Sequence, residues 1–219
     1  MPVRKIPKNY RNVTGIAAYS KADGPAMYES TLERDFITLL EFDPAISSFE
    51  VQPWRIDWED GKGKPRSYTP DMLVYYKASG CKPMLCEVKY ADELRQNWKE
   101  FKPKFKAAVS FAKRQGWRFK LITEKHIRTP KLANAKFLVP FVRRGTLANS
   151  DTEILLTGLN SLKQTTPDLL LAAISEDPWQ RAALIPALWY LIGTGKIATD
   201  LDSKLTMSSK IWSIADGQQ

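Results

Sequence analysis

Two carboxylates and a lysine carry the chemistry most open to reading in this chain. Asp71 closes the run Tyr68-Thr-Pro-Asp71, and further on stands Glu87-Val-Lys89. Residues two apart on a strand point to the same face, so Glu87 and Lys89 project together while Val88 packs on the other side. Acidic oxygens hold a hard cation such as Mg²⁺, the cation makes a bound water more acidic, and a neighbouring ammonium orients that water or offsets charge growing on a phosphate. That is the equipment of metal-dependent phosphodiester cleavage. The same residues also have plainer uses. Asp after Pro is common turn chemistry, and Glu-x-Lys on a strand is often a solvated ion pair. The apolar setting of Leu85-Cys-Glu-Val-Lys-Tyr90 weighs against the plainer use, because burying two charges is costly unless they pair or coordinate.

The elements that must position these groups can be read around them. Met72–Tyr76 and Met84–Lys89, joined by a Gly-containing turn, read as a β-hairpin that brings Asp71 near Glu87. Upstream, a helix is expected to start near Tyr28, with Ser30 and Glu33 in capping-box spacing and Leu32, Phe36, Leu39 and Leu40 as its apolar stripe. Glu29 and Glu33 fall on the flank of that stripe. Glu33 is therefore either the capping partner or a third metal ligand, with Glu29 the alternative ligand. Ile46–Gln52 and Trp54–Trp58 alternate as strands about Pro53. A helix from Asp92 or Asn97 to about Gln115 has Trp98, Phe101, Phe105, Ala108 and Ala112 as its core stripe. Lys99, Lys102, Lys104 and Lys106 lie largely off it, a solvated face or the lining of a DNA cleft. Pro103 is expected to break this helix or mark its true start. Trp117–Thr123 is a further strand.

Composition narrows the classes. A chain of 219 residues holds one large or two small domains, and 43% hydrophobic content is ordinary for a folded protein. No apolar run approaches a membrane span and the basic N-terminus lacks the apolar centre of a signal peptide, so a cytoplasmic protein is expected. The two cysteines, Cys81 and Cys86, are too few for a disulfide framework or a zinc cluster. The single histidine, His126, reads as a surface or capping residue, which argues against nucleophile–histidine catalysis. Carboxylate chemistry remains.

The net charge of +9 is unevenly spread. Residues 1–140 carry 26 Lys and Arg against 16 Asp and Glu, or +10, while residues 141–219 carry 7 against 8, or −1. A basic first part suits a polyanion such as nucleic acid. The near-neutral tail is expected to dock proteins rather than DNA. Three domains are expected: a basic arm over residues 1–25, an α/β nuclease domain over 26–142 with a mixed sheet flanked by helices, and a tail over 143–219. In the tail, Asp151–Leu162, Pro167–Ile174 and Pro178–Ile192 read as helices, with strands at Lys196–Thr199 and Lys210–Ile214. That is a winged-helix-like pattern.

In combination these stretches resemble the TnsA family, the endonuclease subunits of heteromeric cut-and-paste transposases. The resemblance rests on Ser30-Thr-Leu-Glu-Arg-Asp-Phe36, Leu40-Glu-Phe-Asp-Pro44, Phe49-Glu-Val-Gln-Pro53, Tyr68-Thr-Pro-Asp71, Cys86-Glu-Val-Lys89, Asn97-Trp-Lys-Glu-Phe101 and Phe119-Lys-Leu-Ile-Thr123. It covers roughly residues 25–142. It implies a restriction-endonuclease-like fold and an Mg²⁺-dependent site, with Mn²⁺ able to substitute. By resemblance Glu33, Asp71 and Glu87 become metal ligands and Lys89 the catalytic lysine. Some relatives have Gln where Glu87 stands, and a carboxylate there strengthens the metal-site reading. The implied substrate is double-stranded DNA at transposon ends, cut on the 5′ strands. The implied partners are a TnsB-like transposase that cuts and joins the 3′ ends and a TnsC-like AAA+ regulator. The alternatives are a stand-alone restriction-like nuclease or junction resolvase, and a DNA-binding adaptor whose acids are structural.

Overall fold

The structure, a computed structural model, describes residues 15–17 (backbone only), 20–145 and 148–214. The expected basic arm therefore lies largely outside the described residues. Two compact units divide at Arg128 and Thr129.

The first unit is organised on the predicted hairpin. Its strands begin with β1 (Gly15–Ala17) and β2 (Ala26–Tyr28), a short antiparallel pair, followed by helix α1 (Thr31–Phe42). Strand β3 (Ile46–Val51) then leads to a second small antiparallel pair, β4 (Ile56–Glu59) and β5 (Pro65–Tyr68). Next come β6 (Met72–Tyr76), β7 (Met84–Val88), helices α2 (Ala91–Gln96) and α3 (Trp98–Arg114), strand β8 (Arg118–Ile122) and the short helix α4 (Glu124–Ile127). The central sheet runs in the order β3-β6-β7-β8. Its first two pairings are antiparallel and β7–β8 is parallel, so the sheet is mixed.

Every residue of β7 is buried, as are Met72, Leu73 and Val74 of β6. A strand covered on both faces reads as a continuous apolar run, and Met84–Val88 is one but for Glu87. Alternation puts Leu73, Leu85 and Glu87 on one face. There Ala108 and Ala112 of α3 and Ile56 of β4 close a core with Leu73 and Leu85, backed by Tyr68, Tyr75, Phe111 and Phe119. Small residues on α3 let the helix approach the sheet, and each fully buried leucine contributes about 2 kcal/mol by removal from water.

Two expectations about helices change. Pro103 neither breaks nor starts α3, which runs from Trp98 through it. The interruption falls at Asn97, whose φ of −108° and ψ of 18° separate α2 from α3. The expected domain boundary at residue 142 falls within helix α5 (Pro130–Arg144), which belongs to the second unit. The cause is visible in its packing. Asn134, buried on α5, donates to the carbonyls of Leu201 and Ser203 at 2.9 and 2.8 Å and accepts from the Leu205 amide at 3.0 Å.

The second unit continues with α6 (Asn149–Leu162), β9 (Gln164–Thr165), α7 (Pro167–Ile174), α8 (Pro178–Gly193), β10 (Ile197–Thr199) and β11 (Ile211–Ser213). The three expected helices are α6, α7 and α8, and the expected strand pair is β10–β11, to which β9 adds a third strand in the order β10-β11-β9. Gly193 sits so close to α5 that a Cβ there would lie 2.6 Å from Val142 Cγ2. No helix among the described residues is long and apolar enough to cross a membrane.

Candidate active site

Asp71 is fixed before its side chain is considered. Its N–H donates to the Cys86 carbonyl at 3.0 Å, and its own carbonyl accepts from the Gln52 N–H at 2.8 Å. The loop ahead of β6 is thereby tied to the ends of β3 and β7. The carboxylate then accepts from the Val88 N–H at 2.6 Å through Oδ2. Opposite it, Glu87 rises from the face of β7 that meets α3 and is only 2% exposed. Lys89 extends the parallel ladder, its N–H donating to the Ile122 carbonyl at 3.0 Å. Its Nζ stands 3.5 Å from Glu87 Oε1 and 4.0 Å from Asp71 Oδ2. The three residues singled out on the hairpin therefore meet, as strand alternation and the hairpin require.

Two further side chains complete the surroundings of Glu87. The Tyr68 hydroxyl donates to Oε2 at 2.5 Å, and Lys104 Nζ from α3 donates to Oε1 at 3.1 Å. All of them line one cavity of about 790 Å³, together with Glu29, Gln52 and Trp58.

Glu33 behaves differently. It sits in the first turn of α1, where Ser30 Oγ accepts from its N–H at 3.1 Å. Its Oε1 accepts from the Ser30 hydroxyl and its Oε2 from the Glu29 N–H, both at 2.9 Å. This is a capping box with the reach extended by one residue. Of the two open readings, capping partner or metal ligand, the arrangement seen is the cap. Glu29, not Glu33, is the α1-side acid that lines the cavity, and it accepts from Gln52 Nε2 at 3.3 Å. Gln52 has φ of 49°, a left-handed conformation costing a non-glycine residue about 1 kcal/mol or more, and it is 6% exposed. Its Oε1 is buried without a hydrogen-bond partner.

The electrostatics follow from burial and crowding. Burial first, then the charges of Glu87 and Glu33, push the Asp71 carboxyl well above the usual carboxylate range. Burial also raises Glu33, against the hydrogen bonds from Glu29 and Ser30. Burial by itself would lower the Lys89 ammonium, but Asp71 and Glu87 outweigh it and hold it above its ordinary value. Lys89 is thus a cation at neutral pH. Tyr68 is raised by burial and by Glu87, so its hydroxyl stays protonated and donating.

Among the described residues, no three His, Cys, Asp or Glu side chains are gathered to hold a metal ion between them. The donor chemistry of Asp71 and Glu87 nevertheless fits a hard divalent cation, which takes carboxylate oxygens. They share a cavity and one lysine. Glu33 accepts one cap hydrogen bond at each oxygen, which leaves lone pairs on both, and its charge acts on Asp71 and Lys89. Outside the cavity lining, the buried Asp35 pairs with Arg34 and Arg128, each at 3.6 Å. His126 closes a capping box with Thr123 at the start of α4. Cys81 is exposed and Cys86 buried, both free, with burial and then Asp71 pushing the Cys86 thiol up to about 12.

Sequence reasoning missed Tyr68 and Lys104 as neighbours of Glu87. Tyr68 stood inside the motif that ends in Asp71, and its spacing from Glu87 gave no signal. Lys104 was one of four lysines, and its only mark was its place between Phe101 and Phe105.

No curated protein matches the chain. Residues 43–124, from the end of α1 to the start of α4, match the family model described as TnsA-like endonuclease N terminal. The matched stretch contains Asp71, Glu87, Lys89, Tyr68 and Lys104 and ends where β8 has secured Lys89. This stretch of the first unit is thus similar to the N-terminal domain of TnsA-like endonucleases.

Proposed function

We propose that the chain is the endonuclease subunit of a cut-and-paste DNA transposase, cutting the 5′ strands at the transposon ends by metal-dependent hydrolysis. The observation that carries this is the meeting of Asp71, Glu87 and Lys89 in one cavity of a TnsA-like domain. Asp71 and Glu87 would hold Mg²⁺ or Mn²⁺, with Glu33 in the first turn of α1, or Glu29 just ahead of that helix, as the third ligand. The bound ion supplies an acidified water and charge stabilisation at the phosphate. Lys89, fixed between both carboxylates and charged at neutral pH, is suited to stabilising the phosphate rather than to removing a proton. Tyr68, held as a donor to Glu87, fixes that carboxylate's orientation. Water attacks phosphorus in line, the bond to the 3′ oxygen breaks, and the products are a 5′-phosphate and a 3′-hydroxyl.

A TnsB-like transposase would cut the 3′ strands and a TnsC-like AAA+ protein would regulate both. The helices and three-stranded sheet of the second unit are compatible with a winged-helix-like module. The decisive experiment is strand cleavage at transposon-end DNA with the partner subunits present, comparing wild type with Asp71→Ala and Lys89→Ala. Cutting of the 5′ strand should fall at least a hundred- to a thousandfold, roughly the loss expected when one electrostatic group is removed from an active site. Cutting of the 3′ strand by the partner should survive. Wild-type 5′ cutting by both variants would overturn the assignment.

A further inference from the structure

The cavity holds two ammonium groups where the hydrolysis described above uses one. Lys89 lies between Asp71 and Glu87 and also donates to the Val88 carbonyl at 3.2 Å, so strand and carboxylates fix it together. Lys104 is held otherwise. One hydrogen bond, to Glu87 Oε1 at 3.1 Å, ties it to the site. The rest of its support is aromatic, with Nζ 4.5 Å from the ring centroid of Phe101, 5.0 Å from Tyr68 and 5.1 Å from Phe105. These distances are within cation–π range, an attraction that needs the cation over a ring face but fixes no single donor–acceptor line. Two ammonium groups therefore crowd one oxygen, and one of them rests on a surface that tolerates its moving.

The Lys104 side chain is 23% exposed, so its ammonium can leave Glu87 on the open side of the cavity.

We infer that Lys104 is the exchangeable counter-ion of this site. It neutralises Glu87 in the DNA-free protein, yields that oxygen to the divalent cation, and turns its charge to a phosphate of the bound strand. The inference rests on the metal-dependent reading above, and its test separates the two.

Mn²⁺ is titrated into the full chain at low salt, with free Mn²⁺ followed by electron paramagnetic resonance, for wild type, Lys104→Gln, Lys104→Arg and Lys113→Gln. Removing a competing positive charge from a partly screened pocket should tighten Mn²⁺ binding about tenfold in Lys104→Gln. Lys104→Arg keeps the charge and Lys113→Gln removes an exposed one elsewhere on α3, so both should stay near wild type. In parallel, duplex DNA affinity is measured against salt concentration with Ca²⁺ present. The log–log slope should shrink by about 0.9 in Lys104→Gln, the value of one phosphate contact.

A lysine that merely packs on the rings would cost stability but leave both readouts unmoved. Unchanged or weaker Mn²⁺ binding in Lys104→Gln, or an unchanged salt slope, overturns the inference. If wild type binds no Mn²⁺, the metal-dependent reading falls first and Lys104 has nothing to exchange with.

Discussion

Helix α3 presents lysines to two cavities, and the two sides teach different things about charge. On one side Glu100, Phe101 and Lys104 line the cavity of Asp71 and Glu87. On the other, Lys99, Lys102, Lys106 and Arg114 line a second cavity of about 690 Å³, whose opposite wall is the β4–β5 region with Asp57 and Glu59. Trp58 lines both. Lys102, Lys104 and Lys106 are near-identical in sequence context, yet Lys104 sits among three rings and a buried carboxylate while its neighbours are exposed. A buried partner makes a lysine specific. An exposed one contributes through the summed field, which salt screens.

The largest effect that would test this contrast is on stability. Phe105 is 4% exposed and packs against the rings of Trp98, Phe101 and Phe119 at 5.7 to 6.0 Å. Phe105→Ala should cost about 3–5 kcal/mol by urea unfolding, as buried aromatic truncations do. Its neighbour change Lys106→Ala should stay within about 0.5 kcal/mol. Equal costs would erase the distinction between the two sides.

Next in size is DNA affinity. The double change Lys102→Gln with Lys106→Gln should weaken duplex binding about tenfold and shrink the log–log salt slope by roughly 1.8, at ~0.9 per phosphate. An unchanged slope would make that face a solvated surface and nothing more.

The smallest effect is a pH dependence confined to the inner side. The Asp71 carboxyl is raised in the folded protein, so its contribution to stability is present below the ordinary aspartate value of about 3.9 and is lost as pH rises through the raised value. Asp71→Asn should therefore raise the Tm of the metal-free protein at neutral pH by about 2–4 °C and flatten the decline above pH ~4. Coincident Tm profiles for the two proteins would mean that Asp71 is not held under charge stress.

What could be read from the chain was what periodicity encodes. Alternation fixed the faces of Met72–Tyr76 and Met84–Val88, and hence the meeting of Asp71, Glu87 and Lys89. The Ser30–Glu33 spacing announced a cap, but no spacing could say whether Glu33 would spend its oxygens there or on a ligand, since Glu29 lies on the same flank. Pro103 does not break α3 because the packing of Ala108 and Ala112 against the sheet outweighs one lost hydrogen bond near the start of the helix. Lys104 could not be separated from the other lysines because its partners Glu87 and Tyr68 come from strands distant in sequence. The start of the second compact unit at Thr129 has no local signal for a similar reason. The partners of Asn134 lie more than sixty residues away, at Leu201, Ser203 and Leu205, and no local pattern announces them.

The parallel pairing of β7 with β8 has a consequence for how the protein is made. Parallel neighbours cannot be joined by a tight turn, so α2 and α3 must be threaded over the sheet before β8 arrives. The carbonyl that holds the backbone of Lys89 belongs to Ile122, and the lysine that answers Glu87 comes from within the crossover itself. A growing chain thus exposes Asp71 and Glu87 well before it owns the means to fix them. A chain halted before Ile122 carries Asp71 and Glu87 without the strand that holds the backbone of Lys89 beside them.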